Sequence, residues 1–208
     1  MKKKKSFQFH IPELGTGVTA VGILIAIMLF AGFFVKPPAV LKYTEEPLVK
    51  NTQLQIKPGE TYVYQYMYNN SSANISYQVL DGGDCTIIRM VESVNISAIC
   101  IDSGGVDRTG SNMTFANPSM ILFKPWMLAV KEGWNWNVSV YMDFNDSKTY
   151  IATVYYMTVR TENYNGRKTF VVEERTGSDS QYDWIDAEKR VLLRIVGKGY
   201  EIIGGKEN

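Results

Sequence analysis

The chain has 208 residues, with 22 basic and 21 acidic side chains for a net charge of +1, and is 45% hydrophobic and 12% aromatic. That length sets one folded domain plus an anchor as the natural expectation. The apolar and aromatic content is enough for a core, which excludes a disordered chain. With no basic patch beyond the N-terminus, nucleic acid is excluded as a partner.

Residues 1–13 read as a basic cytoplasmic segment. Lys2 to Lys5 stand together, and Glu13 is the one acidic residue before Lys36. Without those five, 18 basic residues face 20 acidic ones. Residues 14–35, LGTGVTAVGILIAIMLFAGFFV, carry no charge. A helix over them would span roughly 30 Å of hydrocarbon. Lys36 and the prolines at 37 and 38 end the run. The basic flank predicts an N-terminus inside the cell and residues 36–208 outside it. The apolar stretch is longer than a signal-peptide core and ends in bulky Phe33, Phe34 and Val35. It therefore reads as an uncleaved signal-anchor. Gly22 and Ala26 form a small-xxx-small pair that two helices could share, or are simply small residues tolerated in a span.

Residues 36–58 read as a stalk, 59–204 as the folded domain and 205–208 as a tail. Within the domain the pattern alternates with period two. TYVYQYMY (61–68) sets Tyr62, Tyr64, Tyr66 and Tyr68 on one face of a strand, and NISYQVL (74–80) follows after an Asn/Ser turn. CTIIRMV and VNISAIC flank Glu92-Ser93, a hairpin turn that would set Cys85 opposite Cys100. An even pair outside the membrane predicts a disulfide. Residues 102–118 read as a long polar loop, and ILFKPWMLAVKEGWNWN, broken by Pro125 and Gly133, as an irregular or short-strand segment. A second meander follows through WNVSVYMDF, KTYIATVYYMTVR, KTFVVEERT, SQYDWI, RVLLRIV and YEII. Turn signals every ~8–12 residues, with no helix outside the membrane, predict an all-β domain, either a curved antiparallel sheet or an open barrel.

Asn69, Asn70, Asn74, Asn95, Asn112, Asn137 and Asn145 are each followed at +2 by Ser or Thr with no intervening Pro. Each is a glycan acceptor on an exported chain, or a polar turn residue in a β protein. None lies before residue 69, so they fall on the side that the anchor predicts to be external. The habit suits an archaeal surface.

The stretch GWNWNVSV, then TYIATVYYMTVRTENYNGRKTFVVEERTG, then YDWIDAEKRVLLRI has a recognisable cadence. A Gly-Trp entry leads to a long strand, an Asn-Gly turn and a hairpin of form Trp-x-Asp-x5-Leu-Leu-Arg. It resembles uncharacterised envelope proteins related to the lipoprotein-carrier (LolA/LolB-like) superfamily, over residues 60–203 and most clearly over 133–196. The resemblance implies a curved sheet whose apolar concave face holds an acyl chain or another apolar ligand. This chain departs from those carriers in its membrane span and in lacking the helices that plug their cavities.

The residues offer little for catalysis. His10, the sole histidine, lies on the cytoplasmic side, so no Ser-His-Asp or Cys-His set can form outside. Asp81, Asp84, Asp102 and Asp107 could bind calcium weakly or act as paired carboxylates, but Asp and Gly are also what tight turns need. Glu173 and Glu174 point to opposite faces of one strand. No phosphate loop, metal ligand set or cofactor motif is present. The aromatic residues Tyr62, Tyr64, Tyr66, Tyr68, Trp134, Trp136 and Trp184 are the candidates for lining a ligand groove, against the alternative that they fill a core. Trp126 belongs to the same aromatic set, and adjacent Tyr155 and Tyr156 should face opposite ways. The expectation is a non-enzymatic, single-pass surface protein. Its partners would be the membrane and either a lipid-like ligand or an envelope protein. The alternative is a pilin-like structural subunit assembling through its hydrophobic helix.

Overall fold

A computed structural model describes residues 40–45, 47–68, 71–92, 95–109, 120–144 and 147–206. Residues 41–208 form one compact unit. The expected span at 14–35 and the basic segment before it lie outside the described residues. Among the described residues no helix is long and apolar enough to cross a membrane.

Among the described residues eleven strands make one antiparallel sheet: β1 Val40–Glu45, β2 Thr61–Tyr68, β3 Ser71–Asp81, β4 Thr86–Glu92, β5 Asn95–Ile101, β6 Asn135–Phe144, β7 Ser147–Tyr164, β8 Arg167–Thr176, β9 Asp179–Asp186, β10 Leu192–Gly197 and β11 Tyr200–Lys206. Their order is β1-β6-β7-β8-β9-β10-β11-β2-β3-β4-β5, which leaves β1 and β5 at the edges of a curved, open sheet. All-β architecture is thus as expected. The turns obey local chemistry. Asn165 and Gly166, at φ 51° and 78°, link β7 to β8, and positive φ at both central residues is what a type I′ hairpin demands. Asp186 ends β9, and its Oδ1 accepts from the Glu188 and Lys189 N–H groups at 2.9 Å each. The Trp-x-Asp pattern noted in the sequence is therefore a side-chain-capped turn.

The inner face carries the core. Tyr62, Tyr64, Tyr77, Val79, Ile88, Trp136, Val138, Tyr156, Val172 and Ile185 are all buried there. Glycine lets the aromatics lie flat: a Cβ on Gly204 would come within 2.1 Å of the Tyr64 ring. The outer face of the sheet's middle is covered differently. Trp184 lies beneath the Arg194 and Arg160 guanidinium groups, 4.9 and 5.7 Å from its ring centre, and its indole N–H donates to Glu162. Arg160 pairs with Glu162 and Arg194 with Glu201.

Three findings depart from the sequence reading. First, residues 36–58 are not all stalk. Residues 40–45 form β1, Leu48 and Leu54 pack against the core, and Ile56 is buried in it. Second, the irregular segment before β6 is the most deeply buried stretch among the described residues. Leu122, Phe123, Trp126, Met127, Leu128, Ala129 and Val130 are all fully buried, around a single 3₁₀ turn at Pro125–Leu128. This strap lies on the inner face, against Tyr77 and Tyr156. It is held by backbone bonds from Leu192 N–H to the Leu122 carbonyl and from Asn51 N–H to the Leu128 carbonyl, and by the Arg190 guanidinium on the Val130 carbonyl. Third, the disulfide joins Cys85 to Cys100, but the register pairs Cys100 with Ile87. The β4–β5 hairpin turns two residues later than expected in summed register, with Glu92 opposite Asn95, so Cys85 stands outside β4 and reaches its partner diagonally. An even slip keeps both sulfurs on one face, which is why the bond survives it.

Candidate ligand site at the open rim of the sheet

The tyrosine stripe of β2 runs from the core to the rim. Tyr62 and Tyr64 are fully buried, Tyr66 is half-buried and Tyr68 is 49% exposed. The Tyr62 hydroxyl donates to Glu60 at 2.7 Å and the Tyr64 hydroxyl to the Leu192 carbonyl at 2.6 Å. Both are therefore core residues with satisfied polar tips. Tyr66 stacks on Tyr68 at 6.5 Å and on Tyr200 of β11 at 6.2 Å, so three rings form a patch at the rim. Register places Tyr200 opposite Tyr68, and Gly197 across β10 leaves room for its ring: a Cβ there would sit 2.3 Å from it.

Beside this patch, on the same face, lies an acidic floor. Glu174 of β8 pairs in register with Gln181 of β9, two residues before Asp183. The Gln181 amide donates to Glu174 at 3.2 Å and to Asp183 at 3.1 Å, and its oxygen accepts from the Tyr200 hydroxyl. Asp183 is only 1% exposed. Burial, reinforced by the charge of Glu174, pushes its carboxyl up to about 7, against the opposing influence of Lys124 and the Gln181 hydrogen bond. Burial raises Glu174 too, with Lys124 of the strap opposing. Burial first, then the charges of Asp183 and Glu174, raise Tyr200. Two carboxyls that accept from one amide, one of them fully buried, cannot both ionise cheaply, which is why both are raised. Glu174, which lines the adjoining cleft, thus offers its carboxyl oxygens to an incoming N–H or O–H donor, with Asp183 behind it. Two adjoining clefts share Tyr200. One, of about 390 Å³, includes Glu174, Gln181 and Lys198; the other, of about 530 Å³, includes Met67, Tyr68 and Ser72.

The seven aromatic candidates therefore fall in separate places. Tyr66 and Tyr68 belong to the rim, and Tyr62 and Tyr64 to the core. Trp134 and Trp136 are buried in a stack with Trp126 and Tyr156 under the strap. Trp184 is on the outer face. Gln181, Asp183 and Tyr200 were not singled out in the sequence, and Glu174 only as facing away from Glu173, because the four converge through cross-strand register. The one available signal was the Gly177-Ser178 turn, which brings Glu174 opposite Gln181. The Asp-Gly turns serve the backbone: Asp81 accepts from Gly83 N–H, Asp102 from Val106 N–H and from Arg108, and Asp107 from Thr109 N–H. Among the acceptor triplets, Asn74 is exposed on β3 and Asn137 is half-exposed on β6; Asn95 lies on β5, and Asn69, Asn70, Asn112 and Asn145 lie outside the described residues.

No known protein family matches the chain, and no curated protein matches it. Among solved structures it is similar to the hypothetical lipoprotein YmcC from Escherichia coli (K12), at 15% identity and a TM-score of 0.35, over 77% of this chain and 93% of that one.

Proposed function

We propose that the chain is a non-enzymatic surface protein, held to the membrane by one span at residues 14–35, whose external β domain binds a small ligand at the rim of its sheet. The observation that carries this reading is the juxtaposition of the stacked Tyr66, Tyr68 and Tyr200 rings with the Glu174–Gln181–Asp183 floor. Rings give an apolar platform, and the half-buried Glu174 carboxyl gives an acceptor that rewards a donor more than water would. The ligand class is an amphipathic molecule with an apolar or aromatic body and an amine or hydroxyl head. An acyl chain lying deep in the sheet is disfavoured, because the strap residues Leu122 to Val130 already fill that space.

Native mass spectrometry of the protein extracted from membranes tests the reading. A bound mass of a few hundred daltons, lost in Tyr200→Ala and retained in Trp184→Phe, supports it. A bare mass in the wild type, with oligomers that disappear when residues 14–35 are removed, would move the reading to the pilin-like subunit.

A further inference from the structure

The outer face of β7 is unusually apolar for an exposed strand. Ile151, Tyr155, Met157 and Val159 are 45%, 49%, 45% and 37% exposed. A row of exposed apolar side chains, broken only by Thr153, marks something that covers it. Register puts Asn137 of β6 directly opposite Tyr155, and Arg175 of β8 on its other side, with the guanidinium 5.9 Å from the tyrosine ring centre. In the next row Asn135 stands opposite Met157, which faces Glu173. Together these six residues line an open cleft of about 280 Å³. Trp136 and Val138 are buried, so Asn137 between them points outward. Among the described residues its amide has no hydrogen-bond partner. Asn137-Val138-Ser139 is one of the chain's acceptor triplets.

We infer that Asn137 carries an N-linked glycan whose first sugars lie over Tyr155 and Met157 and cover the β7 stripe. The inference rests on the external placement of the domain proposed above. Side chains directly opposite in an antiparallel pair have Cβ atoms about 4.5–5.5 Å apart, so a sugar on Asn137 has the Tyr155 ring as its nearest neighbour. A sugar ring presents one face of C–H groups to an aromatic ring and hydroxyls at its edge. Arg175 and Glu173 flank the stripe as donor and acceptor for those hydroxyls. In the transfer, Asn137 Nδ2 forms a bond to the anomeric carbon of a lipid-linked sugar phosphate. The anomeric C–O bond breaks, the phosphate carrier leaves with the bonding electrons, and the amide loses one proton to base. Asn74 supplies the contrast. It is exposed on β3 opposite Gln65, between Ser72 and Ser76 on its own strand, with no aromatic ring opposite it.

The full chain, expressed in a secretory host that glycosylates such triplets, gives the test by peptide mass mapping. The expected result is a glycan increment on Asn137 that is lost in Asn137→Gln. Enzymatic release of the glycan should then raise binding of a hydrophobic dye, and the rise should be absent in Tyr155→Ser/Met157→Ser. A bare Asn137 beside an occupied Asn74 would overturn the inference while leaving external placement intact. Both sites bare, with the domain protected from protease in sealed cells, would overturn both. An occupied Asn137 whose removal leaves dye binding unchanged and makes no dimer would overturn the covering role.

Discussion

Asp183→Asn should make the domain more stable at neutral pH, although it removes a charge from a hydrogen-bonded site. In the folded protein the Asp183 carboxyl is raised from 3.8 to about 7. The unfolded chain releases that proton near pH 4, whereas the folded chain keeps it until near pH 7. Between those values the folded state binds more protons, so stability falls as pH rises. Three units at about 1.4 kcal/mol each set a ceiling of about 4 kcal/mol, and at 1% exposure the group has no solvent screening to reduce it. The charge of Glu174 supplies part of that shift, so the expected gain for Asp183→Asn at pH 8 is about 2–3 kcal/mol. The amide oxygen can still accept from Gln181, which keeps the network intact. Urea unfolding of a chain starting at Val40, at steps from pH 4 to pH 8, measures the effect as the shift in midpoint at constant slope. Wild type and variant should coincide near pH 4, diverge progressively above it, and reach their full difference near pH 7. A wild-type stability that stays flat across this range, or a variant less stable than wild type at pH 8, would refute the argument that the floor is strained by burial and like charge.

Four further outcomes follow from the packing. Burial raises the Glu60 carboxyl, but hydrogen bonds from Lys189, Tyr62 and the Lys57 N–H outweigh this and bring it down to about 2. Glu60→Gln should therefore cost about 2–3 kcal/mol at pH 7, with the difference from wild type shrinking as pH falls from about 4.5 toward 2, as read in acid unfolding curves. Trp126→Ala empties the centre of the strap and should cost about 3–5 kcal/mol. Trp126→Phe should cost much less, because the indole N–H is buried without a partner among the described residues. Gly197→Val sets a side chain where the Tyr200 ring lies, and should lower the thermal midpoint and abolish retention of any co-purifying ligand. Replacing Cys85 and Cys100 together by Ser should cost about 2–3 kcal/mol, measured by urea unfolding, and no change would mean that the β4–β5 hairpin is already ordered in the unfolded chain.

Strands and turns were legible in the sequence because their determinants are local. TYVYQYMY alternates with period two and is β2 residue for residue, and Asn165-Gly166 adopts the positive φ that its hairpin requires. The cysteine pair was legible because two sulfurs 15 residues apart across a hairpin have little choice. The strap from Met120 to Val130 was not legible. Its apolar run has neither period, since it is buried all round instead of on one face, and only the curvature of eleven strands gives it a surface to fill. The acidic floor was hidden for a related reason. Glu174 and Asp183 lie nine positions apart on strands that alternation alone treats as half-polar, and their meeting depends on β8–β9 register, which sets Gln181 opposite Glu174 and Val172 opposite Asp183. The tyrosine stripe shows both levels at once. Alternation put four rings on one face, but only the tertiary fold made Tyr62 and Tyr64 core and left Tyr66 and Tyr68 at the rim, because the strap covers one end of that face and stops short of the other.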